Sequence, residues 1–339
     1  MLSPMDFVST HTTRALLEKT TKYLIKKPEP INPIITHKSR SILILGNGFD
    51  LNLGLKTSYE DFVKSNYWPF DKSSYYEEFS LPYFLNNCLG RVDTWYDLEE
   101  ALAKFASQDN DHLENYKIEK NKAFLKKLIE KLREYLQNQE DAFVEMMSTN
   151  THARTTPSSY VLMLFLQKEI RSIYTFNYTN LYRIANRLIS GFDDTYVHVH
   201  GSLEKDNIIL GTGDQRNLND GYFDFHKSAS PHYESNKLVV DLNSADEVYI
   251  FGHSLGLNDH DYFSDFFKRV SQSINSPFYP KKIKIRIFTF NNHSEMEIKK
   301  QLMQLTDNHL TGLYAHCDLK ILKTSDEYRS EWMLKNSML

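Results

Sequence analysis

The sequence predicts an α/β fold: a Rossmann-like, mostly parallel sheet carrying a helical insertion. Two observations lead there. Short apolar runs alternate with helical patterns along most of the chain, and strands alternating with helices build parallel sheets. The first run, Ile42-Leu43-Ile44-Leu45, also stops abruptly at Gly46-Asn47-Gly48. A strand running into a glycine turn is how nucleotide sites open in doubly wound folds.

Residues 1–40 read as an appendage. A helix is expected from His11 to Lys27, capped by Thr10 or Thr12, followed by a linker set by Pro28, Pro30 and Pro33. Residues 41–335 read as a single domain. Ile42–Leu45 has the length of a strand buried on both faces. Thr57-Ser58 is a helix N-cap signal, and a short helix is expected from Thr57 to Ser65. Residues 66–92 are aromatic and broken at Pro69 and Pro82. Two amphipathic patterns follow, Asp93–Ala106 (Trp95, Leu98, Leu102, Phe105) and Lys117–Met147 (Leu125, Leu128, Leu132, Leu136, Phe143). They make residues 66–150 a helical insertion between the first and second strands.

Strands then resume. Ser172–Phe176, Thr195–Val199, Val248–Phe251, Lys282–Phe290 (the longest) and Asp318–Leu322 are expected strands, and Asn207–Leu210 a short extended piece. Helices are expected at Pro157–Glu169, Leu181–Ile189, Asp259–Ser273 and Glu295–Leu305.

The chain has 339 residues and a formal charge of −4. That length supports a large core, and the charge argues against nucleic acid as a partner. Cys88 and Cys317 lie far apart without metal-ligand spacing, so a reducing compartment and no metal are expected. No signal-peptide core is evident, and no apolar run approaches the roughly 18 residues that span a bilayer. A cytoplasmic protein without membrane contact is expected.

Function is sought at the strand ends. Four apolar runs end in Gly46-Asn47-Gly48, Asn177-Tyr178-Thr179, His200-Gly201-Ser202 and Gly252-His253-Ser254. In an open parallel sheet, ligands bind outside those carboxyl ends, so these segments could converge on one crevice. Each is ambiguous alone. The glycine spacing is neither the dinucleotide fingerprint nor a phosphate loop, and a plain turn explains it as well. Asp50 would repel a phosphate and welcome a ribose hydroxyl. Asn177 reads equally as a turn or cap residue. His198 and His200 share one side of their strand, a metal-capable pair without an evident third ligand. Glu99 reads as part of a solvated helix face. Gly252-His253-Ser254-Leu255-Gly256 is a literal G-x-S-x-G, as in a serine hydrolase elbow, with Asp307, His309 and His316 as later partners. Against it, Leu257-Asn258-Asp259 reads as a loop capped at Asn258 or Asp259, whereas an elbow's helix starts at the serine.

With these residues in view, the chain resembles the AbiH family of bacterial abortive-infection proteins. The resemblance rests on ILILGNGFDLNLGLKTSY near the start, Trp95–Glu99, YTFNYTN at 174–180, VHVHGS at 197–202 and FGHSLGLNDHDYF at 251–263. AbiH proteins in turn look like distant relatives of SIR2-like NAD-binding proteins. That likeness implies NAD as ligand or substrate, with Asn177 and His200 catalytic. It implies cofactor contacts from Gly46, Asn47, Gly48, Asp50, Thr57, Ser58, Gly201, Gly252, His253 and Ser254. The zinc-binding cysteines of sirtuin deacylases are absent, as is their first-loop arginine, so the likeness points to NAD hydrolases of phage defence. Asn177 would hold the water or a ribose hydroxyl, His200 would serve as base, and the Gly46 and Gly48 amides with Ser254 would take the pyrophosphate. A constantly active NADase would kill its host. The helical block or a homo-oligomer would gate the site, and a phage-derived trigger would release it. A non-catalytic NAD or ADP-ribose sensor is the competing reading.

Overall fold

Alternation along the first strand, β1 (Arg40–Leu45), divides the core in two. Ile42 and Ile44 enter one cluster and Leu43 and Leu45 another, so the strand is covered on both faces. Burying each such side chain contributes about 1.5–3 kcal/mol. The structure is a computed structural model, and it describes residues 39–325 except 72–73, 90–96, 109–113, 150–151, 193–194, 235 and 273–281. The expected helix at 11–27, its proline linker and Trp95 lie outside the described residues.

Six strands form one parallel sheet: β1, β2 (Ile170–Thr175), β3 (Tyr196–His198), β4 (Glu247–Phe251), β5 (Lys284–Thr289) and β6 (Asp318–Lys323). Their order is β3-β2-β1-β4-β5-β6. This is the doubly wound order of dinucleotide-binding sheets, and it reverses between β1 and β4. One face is covered by α8 (Leu238–Ser244), α9 (His260–Gln272), α10 (Asn292–Leu305) and α11 (Leu310–His316). The other is covered by α1 (Asn47–Leu53), α6 (Pro157–Phe165) and α7 (Leu181–Leu188).

Between β1 and β2 run α2 (Tyr59–Lys64), α3 (Leu81–Leu89), α4 (Leu98–Ala106) and α5 (Asn115–Thr149). They share a third apolar cluster, built around Phe62, Leu102, Phe105, Leu128 and Leu132. Leu203, Leu210, Tyr222 and Phe225 join it, so the stretch after β3 is part of this layer.

Several elements differ from the sequence reading. A helix begins at Asn47, directly after Gly46, where a turn was expected. Residues 207–210 are not a strand; the nearby pairing is an isolated bridge, Thr212 to His226. Strand β5 has six residues, like β1, β2 and β6, and is not the longest. Helices α3, α8 and α11 are additional.

Candidate functional site

The carboxyl ends of β1 and β4 meet at the point where the strand order reverses. Their backbones touch so closely that side chains are excluded. A Cβ on Gly46 would lie 2.5 Å from His253 Cα, and one on Gly48 would lie 2.6 Å from Gly252 Cα. Gly252 adopts φ +65°. The Gly46 N–H donates to Phe251 O and the Gly48 N–H to Gly252 O, both at 2.9 Å. These glycines therefore join two strand ends, and both amides expected for a pyrophosphate are engaged inside the fold.

Asn47, Thr57 and Ser58 are likewise held internally. Thr57 Oγ1 donates to Asn47 Oδ1 at 2.6 Å, and Asn47 Nδ2 donates to Thr57 O at 3.2 Å. Ser58 Oγ accepts from Asp61 N–H and caps α2. Gly201 adopts φ +75°, and a Cβ there would strike Asn207 O at 1.9 Å.

Side chains beyond β2 sort by alternation. Asn177 and Thr179 turn toward Asp50 on α1. Asn177 Nδ2 donates to Asp50 Oδ1 at 2.9 Å, and Thr179 Oγ1 donates to Oδ2 at 2.7 Å. All three are buried. Burial pushes the Asp50 carboxyl up to about 7, against the lowering effect of both hydrogen bonds.

Phe176 and Tyr178 point the other way. The Phe176 ring lies 5.0 Å from His200 and 4.3 Å from His253. The Tyr178 hydroxyl donates to Ile209 O at 2.8 Å and feels the charges of Glu99 and Lys227. Asn177 and His200 therefore lie on opposite sides of the 176–179 segment, and among the described residues no hydrogen bond joins them. His198, expected on the side of His200, donates from Nδ1 to Asn177 O at 2.9 Å instead.

His200 belongs to a second, more charged cluster. Lys227, only 4% exposed, places Nζ 2.9 Å from Glu99 Oε2 and 2.8 Å from Asp259 Oδ1. Asp259 also faces His200 Nε2 at 3.4 Å and His253 Nε2 at 3.3 Å. Leu255 N–H donates to His253 Nδ1, which leaves that ring's proton on Nε2, toward Asp259. His200 Nε2 is close to Asp259 but poorly aligned, and it makes no hydrogen bond.

The charges in this cluster follow from burial. One buried cation does not keep two carboxylates ionised. Burial would raise Asp259, but Lys227 and the two imidazoles hold it well below the usual carboxylate range. Glu99 keeps the burial effect and is raised to about 7, with Lys227 opposing and Asp259 and Asp97 reinforcing. Burial, then the charge of Lys227, depresses His200 to about 3. That imidazole is neutral near pH 7 and a weak base, contrary to the role expected for it. Glu99 is half-buried against Lys227 and Asp259, not on a solvated face.

A cavity of about 140 Å³ opens on this cluster, lined by Asp97, Glu99, Glu100, Arg216, Ser254, Asn258, Asp259 and Gln301 among others. Arg216, one of its lining residues, joins two others, pairing with Glu100 on α4 and donating from Nε to Asn258 Oδ1 at 3.2 Å.

Ser254 is exposed, and its Oγ accepts from the Gly256 N–H at 3.3 Å. The left-handed residues are Gly252 and Leu255, and the following turn starts only at Leu257. His309 bonds backbone carbonyls of its own turn. The hydrolase elbow is not formed.

Lys227 escaped the sequence reading because a lone lysine after Phe-Asp-Phe-His carries no local signal. Asp259 was visible only as a helix cap.

The same segments carry a family assignment. The family model described as "Bacteriophage abortive infection AbiH" matches residues 42–279. The chain belongs to the AbiH family. The match spans the glycine junction, Asp50, Asn177, His200 and the whole Glu99–Lys227–Asp259 cluster of this AbiH chain. No match was found among curated proteins or among solved structures. Family membership implies a role in phage abortive infection. Among the described residues no helix is long and apolar enough to cross a membrane.

Proposed function

We propose that this AbiH protein is an abortive-infection effector that binds an NAD-type dinucleotide at the carboxyl ends of β1 to β4 and hydrolyses its nicotinamide–ribose bond. One observation carries the reading. Polar residues follow the carboxyl ends of β1 to β4, on both sides of the point where a β3-β2-β1-β4-β5-β6 sheet reverses its order, and such sheets bind nucleotides there. The ordered likeness of the glycine turn, Asn177, His200-Gly201 and Gly252-His253-Ser254 to SIR2-like proteins supports it.

The chemistry suits the groups present. Nicotinamide is a good leaving group, and the transition state is cationic at the sugar. Catalysis then needs a held water, fixed negative charge near the sugar, and a dry site. Asp259, which lines the cavity, supplies the charge. Since the Gly46 and Gly48 amides are engaged, pyrophosphate recognition falls to other groups.

At about 140 Å³ the cavity is smaller than the 300–1,000 Å³ of typical small-molecule sites. It accommodates a ribosyl-sized group, and a dinucleotide requires it to open. A closed resting form suits an effector that must spare uninfected cells. The same closure favours a second reading, in which the nucleotide is sensed and not consumed.

The test is to incubate purified protein with NAD, with and without phage components, and to follow nicotinamide and ADP-ribose by chromatography. Stoichiometric release of both is expected once the protein is triggered. Saturable NAD binding without release selects the sensor. Neither binding nor release under any trigger removes both readings.

A further inference from the structure

The groups named so far leave the hydrolysis without a base. We propose that Glu99, Lys227 and Asp259 form the reacting centre: Glu99 takes the proton of the attacking water, Asp259 faces the ribosyl cation, and Lys227 positions both. The inference rests on the hydrolase reading for its reaction and on the cluster's geometry for its assignment.

Two bonds shorter than 3 Å meet at the Lys227 nitrogen, one from each carboxylate. Their bonded oxygens are therefore within about 6 Å of each other, so one group in the cavity can touch both carboxylates. Both carboxylates line the cavity of about 140 Å³, which has room for a sugar or for water.

A second observation marks the place as a ligand site. His200 is buried, and its Nε2 faces Asp259 at 3.4 Å yet makes no hydrogen bond. Buried polar atoms seldom remain unpaired, and those that do call for an explanation. A side-chain movement that exposes this nitrogen would let a sugar hydroxyl or a held water supply the missing partner.

The two carboxyls differ as an acid–base site requires. Asp259, held low by Lys227 against the effect of burial, stays ionised and opposes positive charge on the sugar. Burial raises Glu99, against the pull of Lys227, toward the range where a base works best. Several elements face it: Lys227 and Asp259 directly, Asp97 from the cap of its own helix, Tyr178, and the Tyr59 hydroxyl of α2 at 3.4 Å.

The step balances. Water oxygen bonds to the anomeric carbon. The carbon–nitrogen bond breaks with its pair going to the pyridinium nitrogen, which becomes neutral. The water proton passes to the Glu99 carboxylate and leaves through the cavity. No oxidant or second reactant is needed.

Glu99→Gln and Asp259→Asn keep shape and remove charge. Each is expected to lower nicotinamide release at least about 100-fold while circular dichroism stays unchanged. The wild-type rate should rise with pH through one ionisation near neutrality, and the residual rate of Glu99→Gln should not. A cationic iminoribitol, a mimic of the ribosyl cation, should raise the melting temperature of the wild type but not of Asp259→Asn. Wild-type rates with the wild-type pH profile in Glu99→Gln overturn the assignment and leave the hydrolase reading standing. If Asp259→Asn does not fold, Glu99→Gln decides. If the wild type releases no nicotinamide, the hydrolase reading fails and the iminoribitol decides: Asp259-dependent binding keeps the centre as a ribosyl-cation site, and equal or absent binding overturns it.

Discussion

Asp50 holds a buried carboxyl whose neighbours donate two hydrogen bonds without supplying a positive charge. Its folded-state value near 7 lies above the 3.8 of a free side chain. Between those values the folded state binds the extra proton, so stability contributed by the protonated form is full below pH 4 and is lost as pH rises through about 7. Asp50→Asn removes that dependence. Its stability relative to the wild type should improve by about 1 kcal/mol or more from pH 4 to pH 8, measured by urea unfolding at several pH values. A difference independent of pH would show that Asp50 is ionised throughout. Asn177 belongs to the same network, so Asn177→Ala should cost about 1–3 kcal/mol from the unmet Asp50 oxygen, read from the same unfolding curves. The strand-end rule puts Asn177, His200 and His253 just past the carboxyl ends of β2, β3 and β4, because a rim position follows from chain order. It could not say which way each side chain turns. One residue of alternation sends Phe176 toward the histidines and Asn177 toward Asp50. The burial that makes His200 a weak base and Glu99 a better one comes from distant segments, and local sequence does not record it.

At the level of elements, the glycines of the β1 and β4 ends act as a backbone junction. Gly48→Ala would place a methyl 2.6 Å from Gly252 Cα and force the two strand ends apart. The expected cost is about 3 kcal/mol. Gly54, the C-cap of α1 with φ +99°, offers a control: nothing lies within 4 Å of an added Cβ. Gly54→Ala should cost only the left-handed penalty, about 1 kcal/mol. Urea midpoints of the two variants should therefore separate clearly, and equal losses would mean that the junction is loose. The glycine spacing was legible from sequence, but its cause was not. Glycine admits either a ligand or another backbone, and here the backbone of β4 occupies the space above β1. The strands were readable as apolar runs, and all six fall where those runs are, with β3 cut to three residues. Helix α1 was missed because Gly46-Asn47-Gly48 resembles a turn, and its start is enforced by the β4 backbone. The short α3, α8 and α11 lack strong caps or long amphipathic patterns, so tertiary packing decides them.

For the whole molecule, the helical layer between β1 and β2 is tied to the sheet end in part through charged groups of α4. Glu99 reaches Lys227, and Glu100 reaches Arg216, whose Nε also donates to Asn258 just before α9. The Glu99 tie is less exposed than the Arg216 pair. An exposed pair contributes about 0–1 kcal/mol, so Arg216→Ala should scarcely change global unfolding. Its effect should be local, because Arg216 joins the two walls of the cavity. Losing it should raise the population of open forms, which admit a dinucleotide, without removing Glu99, Lys227 or Asp259. Amide hydrogen exchange in residues 97–106 and 254–259 should therefore quicken in Arg216→Ala while protection in β1 and β4 stays unchanged. If the closed cavity is what keeps the effector silent, uninfected cells expressing Arg216→Ala should lose NAD and stop growing, and adding Glu99→Gln should restore them. Faster exchange without toxicity would separate opening from activation and assign gating to another part of the chain. Unchanged exchange would show that Arg216 does not hold the cavity shut.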